Sequence, residues 1–442
     1  MEATESSAAP LLKGRGEDLI DQYVEYAGES TDAPSIYHKA LAYWVVSTVL
    51  GRHVRLVTSY APSGLMPNLW VMLIGPSRIV RKSTAMRLAV SIVREVAPQL
   101  VRKASFTPEA LYELCNELNP GDCLAWVKDE IGGFFKTLEK RYMYGVRELL
   151  SSMYMGEGEE RILRNLRLRI PDGLYVTAVA NAPTPPHNYL SEEDFQSGFM
   201  NRWILAYATK REKRLPLLHQ SVVADSMRRE IIARLKELDR ALSTVTPVVS
   251  PTTPAVNRLE EYDREVERQI EVIEQAAPAS LFKLYLAETP NLLVKMAMLR
   301  RLARGNYDPS GIITIEEVDV LKALEDLNAF VASARQVVDD VQSSPRAKPV
   351  LTEEKAIERV FNYISSKGEE GATYSELLVR LGMLSKDLKE YVLTLMEQER
   401  VICVRVQTRG RPALRFFDSR YRNIALTKGQ QVTEDALRAL LR

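Results

Sequence analysis

The chain has 442 residues, 46% hydrophobic and 26% charged, with a formal net charge of +1. That composition excludes a disordered chain, and the near-neutral balance means that any nucleic-acid contact must come from local clusters. Three scattered cysteines (Cys115, Cys123, Cys403) and four histidines argue against a zinc site or a disulfide framework and fit a reducing, cytoplasmic setting.

A chain of this length exceeds one ordinary core, so about two to four domains are expected. The N-terminus, MEATESSAAPLLKGRGEDL, carries early acids and no apolar stretch, unlike a signal peptide. No apolar run approaches the ~20 residues needed to span a membrane, so no membrane partner is expected. Residues 1–16 read as a tail. Asp18–Ala27 and Ser35–Leu50 read as helices, the second with Ala40, Tyr43, Trp44, Ser47 and Leu50 at helical spacing. His53–Ser59 alternates like a strand, Tyr60–Pro67 is a loop, Leu69–Ile74 is a buried strand and Ser83–Glu95 is a helix. Thr107-Pro108-Glu109 supplies an N-cap and an early Pro, opening a helix over Glu109–Leu118. After the turn Asn119-Pro120-Gly121, Cys123–Val127 is a short buried strand and Tyr142–Tyr154 is helical. Leu174–Ala180 and Trp203–Thr209 are further core strands. Apolar strands separated by helices imply a largely parallel α/β sheet over 35–214, preceded by a tail and helix over 1–34.

Ser243–Pro254 reads as extended and Asn257–Gln275 as a charged helix. Ser280–Arg304 and Thr314–Val341 are amphipathic, which makes 215–341 a helical domain. Gln342–Pro349 has linker composition, and the linker is placed at 342–351. Helices over Glu354–Lys367, Thr373–Leu381 and Ser385–Glu399 precede two strands, Val401–Thr408 and Ala413–Phe417, joined by Gly-Arg-Pro. Three helices and a hairpin form the pattern of a winged helix-turn-helix over 352–418, followed by a polar tail over 419–442 with a short helix near its end.

The chemistry starts at LWVMLIGPSRIVRKST, Leu69–Thr84. An apolar strand stops at Gly75, a short loop with Pro76 and Ser77 follows, and Lys82-Ser83-Thr84 opens a helix. That is the layout of a phosphate-binding loop, in which backbone N–H groups wrap phosphates, the Lys reaches the β/γ-phosphates and the hydroxyl ligates Mg²⁺. The spelling departs from G-x-x-x-x-G-K-[ST]: Gly75 lies one residue too far upstream, and Arg81 stands where the second Gly belongs. Downstream, CLAWVKDE ends a strand in Asp129-Glu130, YVTAVAN ends one in Asn181, and QSGFMNRW opens one with Arg202. Each is weak alone; their agreement in order is the signal.

That order resembles the ATPase core of the AAA+ class. More narrowly, it resembles a family of uncharacterised P-loop proteins of plasmids, viruses and prokaryotes related to the helicase half of primase-helicases. The motifs are Pro67-Asn68-Leu69-Trp70 leading into Gly75-Pro76-Ser77 and Arg81-Lys82-Ser83-Thr84, then Asp129-Glu130-Ile131-Gly132 with Phe134-Phe135, Tyr154-Met155-Gly156, and Gly198-Phe199-Met200-Asn201-Arg202. Asn291-Leu292-Leu293-Val294-Lys295-Met296-Ala297 resembles that family's helical lid, and coverage runs from about residue 35 to 335. The resemblance implies that Arg81 is ordinary, since such proteins often write the loop with Arg-Lys-Ser/Thr, whereas Gly is usual near Arg78. A side chain resists positive φ, so the expectation is a loop rebuilt around other residues or weak nucleotide binding. The resemblance implies ATP and Mg²⁺, with Lys82 on the β/γ-phosphates, Ser83 and Asp129 at the metal, Glu130 as general base and Asn181 as sensor. Arg202 would be a finger acting on a neighbour, which requires a homo-oligomeric ring, with a hexamer expected. Lys295 or Arg300 would touch the γ-phosphate from the lid.

An ATPase followed by a winged helix is also the layout of minichromosome maintenance helicases. In the C-terminal unit Arg405, Arg409, Arg411 and Arg415 crowd the hairpin, flanked by Arg400 and Arg420, and would meet DNA phosphates or the minor groove. The helix Ser385–Glu399 carries Lys386 and Lys389 among Asp387, Glu390, Glu397 and Glu399, a mixture that argues against strong major-groove reading. The expected function is an ATP-dependent DNA motor or helicase in plasmid or virus replication, with any primase or polymerase a separate partner. The alternatives are a DNA-binding initiator or regulator that uses nucleotide as a switch or not at all, and an assembly scaffold.

Overall fold

The computed structural model describes residues 18–59, 61, 63–102, 113–114, 116–138, 146–163, 166–216, 219–308, 310–344, 353–381, 383, 385–407, 412–433, 436–437 and 440. The chain divides into two units, Met1–Ser344 and Pro345–Arg442.

In the first unit the strands are β1 (Trp70–Ile74), β2 (Val101–Arg102), β3 (Cys123–Lys128), β4 (Glu159–Leu163), β5 (Leu166–Ile170), β6 (Tyr175–Ala182) and β7 (Trp203–Tyr207). Five of them form a parallel sheet in the order β2-β3-β6-β1-β7, the α/β architecture expected. Both faces are covered, which is why these strands read as continuous apolar runs. Leu69, Val71, Leu73 and Val127 point into one core with helices α1 (Leu19–Ser30), α2 (Ser35–Val49) and α3 (Lys82–Val96). Trp70, Met72, Trp126 and Trp203 point into the other. Trp70 and Trp203 are register partners with ring centroids 5.2 Å apart. Helix α2 is buried from Tyr37 to Val49 apart from Lys39, as expected of a helix apolar nearly all round.

His53–Ser59 is not a strand. Gly51–His53 forms a 3₁₀ turn, and a single bridge links Leu56 to Leu65. Among the described residues its alternation finds no partner strand beyond that bridge. The helix expected over Glu109–Leu118 falls largely outside the described residues. The one expected over Tyr142–Tyr154 is described as Val146–Met155. The antiparallel hairpin β4–β5 is an addition the periodicity does not announce.

The helices expected over 215–341 form, but they do not stand apart as a domain. Helices Val222–Ser243, Thr253–Ala276, Phe282–Arg304 and Glu317–Ser343 belong to the first unit. Met296, Leu299 and Phe330 share a core with Leu73, and Tyr285 and Val337 share the other with Trp70. Part of the extended segment becomes β8 (Val248–Pro251), which pairs in parallel with β9 (Ile312–Ile315). Among the described residues no helix is long and apolar enough to cross a membrane.

The second unit holds helices Glu353–Ser366, Tyr374–Leu381 and Ser385–Glu397, close to the expected bounds. Its antiparallel sheet runs β10-β12-β11-β13, with β10 (Ala372–Thr373), β11 (Val401–Val406), β12 (Ala413–Asp418) and β13 (Gln430–Val432). The segment after Asp418 is not a free tail. Its strand β13 pairs with β11, and helix Arg422–Lys428 brings Ala425 against Ile402, Val404 and Phe417.

Candidate active site

The site lies at the carboxyl ends of β1, β3 and β6, which the parallel register keeps level: Leu73 pairs with Asn181 and Lys128 with Ala180. Gly75 follows β1 and is enclosed. A Cβ there would lie 2.4 Å from the Ala208 carbonyl, 2.5 Å from Tyr37 Oη and 2.7 Å from Val80 Cγ2. Glycine is thus required by close approach rather than by φ. Tyr37 Oη donates to the Ile74 carbonyl at 2.6 Å, pinning the strand end. Ser77, Arg78 and Ile79 are exposed, Pro76 is half-buried, and Val80 is buried as an anchor. Arg78 has φ 66° and Arg81 φ 54°. The expected rebuilding does not occur: both arginines take the left-handed conformation glycine would supply, at about 1–2 kcal/mol each.

Lys82 opens α3 and is buried, and its Nζ donates to the Gly75 carbonyl. Burial lowers its pKa, while Glu130 and Asp129 act in the opposite direction. Ser83 Oγ donates to Asp129 Oδ1 at 2.9 Å. The amide of the buried Asn181 donates to the same Asp129 oxygen at 2.8 Å and to Ser83 Oγ at 3.4 Å, while its Oδ1 has no partner. Glu130 Oε1 accepts from the Gly132 N–H at 3.1 Å. Thr84 follows on the first turn of α3, its N–H bonded to the Arg81 carbonyl at 3.0 Å. The residues expected at the phosphates, metal, base and sensor therefore converge.

The other expected residues do not. Arg202 precedes β7 and lies at the start of the sheet, the end opposite Gly75. Its Nη1 donates to the Gly198 carbonyl at 2.7 Å. Lys295, expected at the γ-phosphate, lies at that same far end. Its Nζ donates to Asn68 Oδ1 at 3.0 Å and sits 3.8 Å from the Tyr154 ring centroid. Asn68 precedes β1, so Lys295 is about 20 Å from the loop along the strand. Burial pulls the Lys295 ammonium down and pushes the Glu288 carboxyl up. Arg300 is no lid contact either: it is buried among Asp18, Asp21, Asp326 and Tyr43. Both assignments are corrected for one reason. Phe282–Arg304 is enclosed on several sides, so its polar residues face partners within the protein rather than the loop.

Two residues that sequence reasoning missed lie beside the site. Buried Asp32, in the turn between α1 and α2, receives Arg81 at 3.5 Å and also Arg211. The Tyr189 ring lies 3.4 Å from where a Gly132 Cβ would be. Neither residue carries a local pattern; the turn Asp32-Ala33-Pro34 is the only signal nearby.

In the second unit Arg405 is exposed on β11 and Lys389 is half-buried. Arg415 Nη1 donates to the Glu370 carbonyl at 2.7 Å. Arg400 pairs with Glu358 at 2.9 Å and stacks on Phe361, and Arg420 pairs with Asp418 at 2.7 Å. Arg409 and Arg411 lie outside the described residues, as does the side chain of Lys386.

Compared with known protein families and with curated proteins, the chain shows no match.

Proposed function

We propose that the chain is an ATP-dependent, ring-forming motor acting on DNA, with Gly75–Thr84 as its phosphate-binding loop. The observation that carries this is the convergence of Lys82, Ser83, Asp129, Glu130 and Asn181 at the carboxyl ends of adjacent parallel strands, where α/β sheets bind ligands. The donor set fits Mg²⁺, which takes one or two carboxylates or hydroxyls together with phosphate oxygens, and here Ser83 Oγ and Asp129 Oδ1 lie 2.9 Å apart. Bound Mg²⁺ would neutralise charge on the β/γ-phosphates. Lys82 would exchange the Gly75 carbonyl for phosphate oxygens. Glu130 would leave the Gly132 N–H and take a proton from the attacking water, and the unpartnered Asn181 Oδ1 would orient that water.

Arg202 faces away from its own loop, so it acts only if a second copy presents a loop to that end of the sheet. DNA would meet the second unit through Arg405 and the hairpin arginines Arg409 and Arg411. The strained Arg78 and Arg81 favour a second reading, slow turnover in a DNA-binding initiator or regulator that uses ATP as a switch.

The test is ATP hydrolysis with and without DNA. Lys82→Ala and Glu130→Gln are expected to lower the stimulated rate at least about a hundredfold. Mixing Lys82→Ala with Arg202→Ala protein should restore part of the activity, because a mixed ring contains junctions with an intact loop and an intact arginine. A wild type no faster than Glu130→Gln would end the motor reading. Nucleotide-dependent DNA binding without turnover would select the switch.

A further inference from the structure

The loop has an unusual debt: two arginines hold a conformation that suits glycine. Arg81 is the residue immediately before Lys82, at φ 54°, and its own side chain makes no capping bond to α3. Its guanidinium instead reaches Asp32, Nε to Oδ1 at 3.5 Å. Asp32 is 4% exposed, and its other oxygen is held by Arg211 and lies 3.5 Å from the Leu215 N–H. Arg211 follows β7, the strand beside β1. The carboxylate is therefore fixed from one side and offers its remaining oxygen to the loop from the other.

We propose that Asp32 is a positioning residue for the phosphate-binding loop, holding Arg81 in the left-handed conformation that aims Lys82 and Ser83. The proposal rests on the nucleotide-binding reading of that loop. The physical argument is that a non-glycine residue leaves the left-handed region unless its surroundings over-determine it, and an ion pair to a buried, already anchored carboxylate does so. Arg78, the second strained residue, is exposed on the loop tip and belongs to the part that must adapt to ligand. Arg81 sits at the hinge with α3, where a rotation would swing the Lys82 side chain away from Gly75.

The test is a double-substitution cycle in the full chain, read by titration with Mg·ATP. Asp32→Asn is expected to weaken binding about tenfold, whereas in an Arg81→Gly background the same change has an effect of about twofold or less, since glycine takes φ 54° without a tether. Arg81→Ala, which lacks both the pair and glycine's freedom, should bind more weakly than Arg81→Gly; this comparison stands even if Asp32→Asn fails to fold. A loss from Asp32→Asn that is equal in both backgrounds, or Arg81→Ala matching Arg81→Gly, overturns the proposal and leaves Asp32 a structural tie to Arg211. If the wild type binds no nucleotide, the functional reading fails and the cycle is read on amide exchange over 77–83. Faster exchange in Asp32→Asn, cancelled by Arg81→Gly, still supports the positioning role, and its absence overturns it.

Discussion

Gly75 and His38 show how single side chains set the limits of this protein. At Gly75 the constraint is steric: the Ala208 carbonyl, Tyr37 Oη and Val80 all crowd the position a Cβ would take. Gly75→Ala should cost about 1–3 kcal/mol of stability by overpacking and should remove nucleotide binding, as read by melting and by titration. An alanine variant that binds Mg·ATP like the wild type would show that the strand end moves freely. His38 is buried in the first turn of α2, and burial holds its pKa down to about 4 against an ordinary 6.5. Above pH 6.5 the imidazole is neutral folded and unfolded, and its titration adds nothing to the pH dependence of stability. As pH falls from 6.5 towards 4 the unfolded chain takes up a proton that the fold refuses, so stability is lost. The loss reaches about 2–3 kcal/mol by pH 4.5. His38→Leu should flatten that part of the pH dependence in urea unfolding at pH 7 and pH 4.5; an unchanged drop would assign it to carboxylates instead.

Among the elements, the C-terminal segment changed most between pattern and fold. It reads as a polar tail, yet β13 pairs with β11 and helix Arg422–Lys428 covers Ile402, Val404 and Phe417. Ending the chain after Asp418 should expose these side chains and destabilise the second unit by about 3 kcal/mol or more, seen as an earlier unfolding transition for that unit. Two transitions unchanged by the truncation would mean that the segment adds nothing. The helix Phe282–Arg304 makes the opposite point. Its amphipathic pattern suggests a solvated face for Lys295 and Arg300, whereas Lys295 packs on Tyr154 and Asn68, and Arg300 ties α1 to Glu317–Ser343 through Asp18 and Asp326.

At the scale of the whole molecule, the division into Met1–Ser344 and Pro345–Arg442 separates the two activities proposed. Each unit has its own core, so each should fold when produced alone. The first is expected to bind Mg·ATP. The second is expected to bind DNA without sequence preference, with log affinity falling about 0.9 per phosphate contact as log salt rises. Salt-independent or site-specific binding by the second unit would point instead to base readout and an initiator role.

The parallel core was legible in the amino-acid sequence because strands buried on both faces must be apolar throughout. Thus Leu69–Ile74, Cys123–Val127, Leu174–Ala180 and Trp203–Thr209 match β1, β3, β6 and β7 to within a few residues at each end. The residues of the proposed phosphate loop, the Asp129-Glu130 pair and Asn181 were legible for a related reason, since polar groups that end apolar strands stand out. The β4–β5 hairpin was not, because arginines interrupt its apolar alternation, and His53–Ser59 was over-read, because alternation does not supply a partner strand. Tertiary structure alone decided the order β2-β3-β6-β1-β7, which brings Asp129 and Asn181 to Ser83 and leaves Arg202 and Lys295 at the far end. It also decided that Asp32 holds Arg81, across 49 residues of chain. Local pattern sets which residues must be buried or can turn; which charges meet depends on contacts between segments distant in sequence, and no local pattern encodes those.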